Sequence, residues 1–258
     1  DMLRKTIQAL TGAIIVVGML FKFMHWPGAA AILYSSLFGM ALLLLDRIIK
    51  HRSPKLLSRE NLACTLGIMY LLAIALKIAH LPGAGLMLIL SLLGFTLVLI
   101  EFAYSMRKSN YAILPLLFSI TLFFALFRIM HWPEPPHALY GSYFIFAILL
   151  PVLLFLRGKK LKSTHSDISQ HFVVLGLLTL FLFLIEAKLH FSPESFGTEL
   201  YQLRIVQTLF FAGIIFFIQI TPRQELMKSM LKNDYKLLKF LQGIYLILLV
   251  MMILVSRQ

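Results

Sequence analysis

Apolar residues in this chain come in long continuous runs separated by short polar and basic segments, without the alternating pattern of a membrane β-strand. The runs extend from about Thr6 to Trp26, Ala29 to Leu45, Asn61 to Leu81, Ala84 to Met106, Tyr111 to Trp132, Ala138 to Leu156, His171 to His190, Leu200 to Ile220 and Leu237 to Val255. A helix needs about 20 residues to cross the hydrocarbon core of a bilayer. The pattern therefore predicts nine transmembrane helices, the second and sixth being short. Composition agrees: of 258 residues 60% are hydrophobic and 14% charged, with a mean hydropathy of +0.88. A soluble domain could not bury that much apolar surface.

A motif recurs at the ends of alternate runs. "FKFMHWPGAA" (Phe21 to Ala30) returns as "LKIAHLPGAG" (Leu76 to Gly85), as "FRIMHWPEPP" (Phe127 to Pro136) and, degraded, as "AKLHFSPESF" (Ala187 to Phe196). In each, the cation precedes a proline by five positions: Lys22 and Pro27, Lys77 and Pro82, Arg128 and Pro133, Lys188 and Pro193. The expected architecture is an all-α polytopic membrane helical bundle. It comprises four tandem helical hairpins, at approximately residues 6–46, 61–106, 111–156 and 171–220, with an extra C-terminal transmembrane helix at 235–256. All of it forms a single integral membrane domain over 1–258. The first two hairpins also share glycines, Gly12 with Gly67 and Gly39 with Gly94, and acids, Asp46 with Glu101. Small residues let helices approach closely in lipid, so these two hairpins are expected to pack more tightly than the others.

The net charge of +13 changes the picture through its distribution. Eighteen of the 24 basic residues, among them Arg47, Arg52, Arg157, Lys160, Lys228 and Lys236, fall in the segments between hairpins or before the first. All lie on one side if the spans alternate. The positive-inside rule then makes the N-terminus cytoplasmic, the C-terminus periplasmic and the proline turns external. Such segments set topology and touch anionic headgroups; no nucleic-acid partner is expected. The first span reads as a retained signal-anchor helix. Cys64, the single cysteine, reads as a small buried residue.

Each motif has two readings. As a corner, the proline stops one helix and the glycine, Gly28 or Gly83, supplies a left-handed turn before the next. The cation and histidine, three apart in Lys22–His25, Lys77–His80 and Arg128–His131, share a helix face. Trp26 and Trp132 then anchor an aromatic belt while the lysines snorkel. As an ion path, the cations would face the bundle interior. Asp46 and Glu101 are poor partners for them, because they lie near the opposite ends of their helices. Glu186 and Glu199 are better placed for local pairing with Lys188 and Arg204. The histidines near the corners could ligate a metal or haem, but no compact HxxxH or CxxC pair supports this. Nor is there a nucleophile elbow, a P-loop or a plausible triad. No catalytic residue, cofactor or metal is expected.

Gly12, Gly18, Phe21, Lys22, His25, Trp26, Pro27 and Gly28, within "TGAIIVVGMLFKFMHWPGAA", resemble the N-terminal membrane hairpin of the GldL/PorL family. This is the inner-membrane subunit of Bacteroidota gliding-motility and type IX secretion motors. The resemblance implies a cytoplasmic N-terminus, a periplasmic Pro-Gly turn and, in the family, an oligomer that converts proton-motive force into work. Lys22 matches the family's membrane lysine. The family's second helix carries a glutamate, whereas "AAAILYSSLFGMALLLL" is uncharged until Asp46, and the family's long cytoplasmic tail has no counterpart in these residues. The leading expectation is a non-enzymatic inner-membrane scaffold or accessory subunit, whose partners are the lipid bilayer and other cell-envelope membrane proteins. The alternatives are a small-solute or ion (proton) transporter and a membrane haem or metal protein.

Overall fold

The structure is a computed structural model and describes residues 2–50, 59–130, 132–133, 136–191, 197–222 and 224–255. Every described element is helical: α1 (Met2–Phe23), α2 (Ala29–Lys50), α3 (Arg59–Ile78), α4 (Ala84–Ser105), α5 (Ile113–Ile129), α6 (Pro136–Leu161), α7 (Ser166–Phe191), α8 (Gly197–Gln219), α9 (Gln224–Ser229) and α10 (Lys232–Val255). A 3-10 turn at Asn110–Ala112, capped by the Ser109 side chain, leads into α5. Eight of these helices are long and apolar enough to cross a bilayer, and the described apolar part of α1 is the shorter Leu10–Phe23. The chain is a multi-pass membrane protein. The two spans expected to be short are carried by full-length helices, α2 and α6, because each apolar core continues into a basic last turn.

The chain falls into two compact units: residues 1–100, 122–134 and 250–258 in one, 101–121 and 135–249 in the other. Within the first unit, α1 packs closely on α2 and α2 on α3. An added Cβ at Gly18 would lie 2.9 Å from Leu33 Cδ2, and one at Gly67 2.9 Å from Leu44 Cδ1, so both glycines are where helices meet. α3 and α4 meet through Gly94 against Leu66, and through the edge-to-face rings of Tyr70 and Phe95, 6.1 Å apart. Within the second unit α6 packs along α7, and α7 on α8. A Cβ at Gly158 would lie 2.8 Å from Val173 Cγ2 and 3.1 Å from the Ser169 carbonyl, and one at Gly176 3.0 Å from the Phe155 ring.

Two expectations are corrected here. Close packing is not confined to the first two hairpins: α6 and α7, which belong to different hairpins, approach as closely, on glycines outside the repeat pattern. Gly12 itself faces open space, and Gly18 makes the close approach in its place. A repeat spacing identifies equivalent positions but does not say which of them face a neighbouring helix.

Candidate functional site

The corner motif is a helix ending closed by its own backbone. Trp26 N–H donates to Phe21 O (2.8 Å) and His25 N–H to Lys22 O (3.2 Å). These are the two bonds of a Schellman cap, with His25 at the position that turns left-handed and Trp26 just after it. The apolar contact that accompanies such caps is present too, Trp26 lying edge-on to Phe21 with centroids 5.0 Å apart. The second corner repeats the bonds, Leu81 N–H to Leu76 O (2.9 Å) and His80 N–H to Lys77 O (3.3 Å). At the third, Trp132 N–H donates to Phe127 O (2.9 Å), and the two rings stand 5.5 Å apart. His131 lies outside the described residues.

The expectation that cation and histidine share a helix face is thereby overturned. α1 and α3 end at Phe23 and Ile78, and the histidines lie beyond them with φ of 52° at His25 and 55° at His80. The left-handed residue of each cap is the histidine. Histidine is, with asparagine and aspartate, among the side chains that tolerate this region. The glycines follow with φ of 86°, and their carbonyls accept the first bonds of the next helices, Ile32 N–H to Gly28 O and Met87 N–H to Gly83 O (both 3.1 Å). Pro27, Pro82 and Pro133 come directly after the cap, where a helix could not have continued.

The fourth copy departs from the others. α7 continues through Phe191, which stands three positions after Lys188 as His25 stands after Lys22. A phenylalanine there has no preference for a left-handed backbone, and the helix passes the point where α1 and α3 stop. Pro193 lies outside the described residues.

The four cations are not equivalent. Lys77 is half-buried, and its Nζ donates to Ile129 O (3.2 Å), one of the terminal carbonyls of α5 that its own helix cannot satisfy. Lys22 is half-buried, while Arg128 and Lys188 are exposed. Of the candidate acids, Asp46 pairs with Lys50 one turn on (3.1 Å) and Glu101 is exposed; both stand at the helix ends remote from the corners.

The long-range polar contacts of the second unit come from residues that the repeat does not mark. Glu186 accepts hydrogen bonds from the Tyr143 hydroxyl and from Gln207 Nε2 (3.1 Å), and Gln207 Oε1 accepts from Arg204 (3.1 Å). The amide of Gln207 on α8 thus links Glu186 to Arg204, two of the four residues grouped for local pairing; the side chain of Glu199 lies outside the described residues. Tyr143, Thr179, Glu186 and Tyr245 line a narrow cavity floored by apolar side chains of α6 and α7. Near the opposite end of α6, Arg157 grips Asp234 with two nitrogens, Nε to Oδ1 (2.9 Å) and Nη2 to Oδ2 (2.6 Å), and Tyr111 donates to Oδ1 (2.9 Å). The Asp234 side chain is 3% exposed. Arg157, grouped by sequence with the headgroup-facing cations, is instead tied to a buried carboxylate. His171 stacks on Phe217, and its Nε2 lies 2.9 Å from Thr221 Oγ1, which is also within hydrogen-bond distance of Ile218 O (2.6 Å).

These groups join helices. Among the described residues, no three His, Cys, Asp or Glu side chains converge on a metal-sized site. Sequence spacing could not have indicated Asp234, Tyr111, Tyr143 or Gln207. The available signal was chemical: a carboxylate and a glutamine within apolar helices require partners. No protein-family model, curated protein or solved structure matches the chain.

Proposed function

We propose that this chain is a non-enzymatic scaffold or accessory subunit of a cell-envelope complex in the bacterial inner membrane. It would contain nine transmembrane helices, four hairpins and a C-terminal helix, with the N-terminus cytoplasmic and the C-terminus periplasmic. The observation that carries the reading is how the motif is used. Lys77 caps the end of α5 through Ile129 O, and His25 and His80 form helix caps, so the residues that looked like an ion path serve to end and join helices. The resemblance of Thr11 to Ala30 to the gliding and secretion motor hairpin supports a place beside such a complex. The basic ends of α2 and α6 support the orientation.

Tagged protein purified from its native membrane in mild detergent is expected to bring down another envelope subunit at a reproducible ratio by mass spectrometry. Purification alone, together with ion movement after reconstitution, would overturn the reading. Orientation is checked separately by introducing Cys at the exposed Ser163, which should label from the cytoplasmic side only.

One observation favours ion transport as a second reading: the Glu186 carboxylate within the α6–α7–α8 packing, beside a narrow cavity. Proteoliposomes that acidify under an imposed potential, and lose this with Glu186→Gln at unchanged protein level, would favour it over the scaffold.

A further inference from the structure

The narrow cavity beside Glu186 lies within the second unit, where α6, α7 and α10 each contribute to its wall. Its volume is about 10 Å³, close to the least that admits one body the size of a water molecule. The polar side chains that line it offer only oxygen: the Glu186 carboxylate and the hydroxyls of Tyr143, Thr179 and Tyr245. Two of these hydroxyls donate elsewhere, Tyr143 to Glu186 and Thr179 to Gly176 O (2.9 Å), which leaves them lone pairs to offer. Tyr245 is 3% exposed, yet its hydroxyl makes no hydrogen bond to any described residue. A buried tyrosine hydroxyl ordinarily has a partner, and the cavity is the place left for one. Pro151 adds a further oxygen. It has no N–H, so the carbonyl of Ala147, another lining residue, lacks the donor that the next turn of helix ordinarily supplies.

We infer that this cavity binds one sodium ion. The ion would sit against the Glu186 carboxylate and take further oxygens from Tyr143, Thr179, Tyr245 and Ala147. Charge selects a cation. The donors to the carboxylate are the neutral Tyr143 and Gln207, Arg204 meets the far oxygen of the Gln207 amide, and among the described residues no lysine or arginine bonds to the carboxylate itself. A carboxylate among membrane-length helices is costly without a counter-charge. A single carboxylate suits a monovalent ion, since divalent metals collect several acids or His and Cys, and no such set occurs among the described residues. Size selects sodium over potassium, because the cavity admits only one small body. Occupancy is independent of whether the chain is a scaffold or moves ions: a cation fixed here would tie α10 to α6 and α7 in either case.

The test uses full-length protein in detergent, freed of alkali ions by dialysis against choline chloride and then titrated with sodium or potassium chloride at constant ionic strength. Equilibrium dialysis with radioactive sodium should find one ion per chain, and potassium should compete poorly. Bound sodium should also raise the unfolding temperature with concentration, as a ligand of the folded state does. Glu186→Gln should abolish binding. Because that change also alters the bonds to Tyr143 and Gln207, a second variant leaves the carboxylate in place. Tyr245→Phe removes an oxygen that bonds to no described residue. It should weaken sodium about tenfold, the effect of one polar contact to a charge, without lowering stability in sodium-free buffer. Tyr104→Phe, at an exposed position on α4, should leave binding unchanged. A wild type that retains no sodium would mean that water alone fills the cavity, and would overturn the proposal. So would sodium binding indifferent to Tyr245→Phe, which would place the ion elsewhere, or potassium binding as tight as sodium.

Discussion

The two units solve the polar problem of a membrane interior differently. In the first, described serine and threonine hydroxyls return to carbonyls three or four residues back, as Thr11 does to Ile7, Ser36 to Leu33 and Ser91 to Leu88. The helix ends at its corners are closed by backbone caps, to which Lys77 adds one long-range bond, to Ile129 O. In the second, side chains far apart in sequence bond to one another: Tyr111 and Arg157 to Asp234, Tyr143 and Gln207 to Glu186, Thr121 to Ser142. Where backbone caps close the corners, the repeats stay visible, because most of each corner's bonds lie within its own residues. Once side chains on different helices depend on one another, each copy is held to its particular partners, and its sequence drifts from the others.

The sharpest way to break this contrast is at Asp234. Arg157→Met should destabilise the protein by about 3 kcal/mol in detergent unfolding, since it leaves a buried carboxylate without its guanidinium partner. Adding Asp234→Leu should recover most of the loss, because an apolar pair tolerates burial. Failure of the second change to rescue the first would mean that the pair does more than balance charge.

Glycine packing gives the next effect. Gly158→Ala should cost about 2 kcal/mol by overpacking, as the new methyl meets a backbone oxygen and Val173, while Gly12→Ala, with nothing within 4 Å, should be neutral or slightly stabilising. Equal effects would remove the distinction between glycines in the repeat pattern and glycines in contact. Smaller still, His25→Val should cost about 1 kcal/mol and His25→Asn almost nothing, because a β-branched residue resists the left-handed backbone and asparagine accepts it. Thermal unfolding of the two variants in one detergent compares them directly. Asp46→Asn should fall within about 0.5 kcal/mol, since the exposed pair with Lys50 contributes little. An effect of several kcal/mol there would show that the acids shared by the first two hairpins do more than terminate a helix.

Much of the helix layout was legible, because a membrane-length apolar run admits few other structures. The corners were legible as turns from Pro27 and Pro82. The role of histidine was not: Lys22 and His25 are three apart, which reads as one helix face unless the final helical residue is known to be Phe23. The Glu186–Arg204 association could be suspected from charge and proximity, but the amide of Gln207 that joins them shows no spacing signal. Asp234 was hidden for a further reason. It stands in a run of polar residues, "KNDYK", where an acid ordinarily faces water, and its partners, Arg157 and Tyr111, are far away in sequence.

The corner cap also bears on how the chain is made. All of its backbone bonds close within six residues, Phe21 to Trp26 in the first copy and Leu76 to Leu81 in the second. Short closures carry little loop entropy and need no distant partner. Each such corner can therefore set as soon as its own residues leave the ribosome, fixing where one helix stops before the helix that will pack on it has been synthesised. The long-range bonds of Asp234 must wait for α10, made 123 residues after Tyr111.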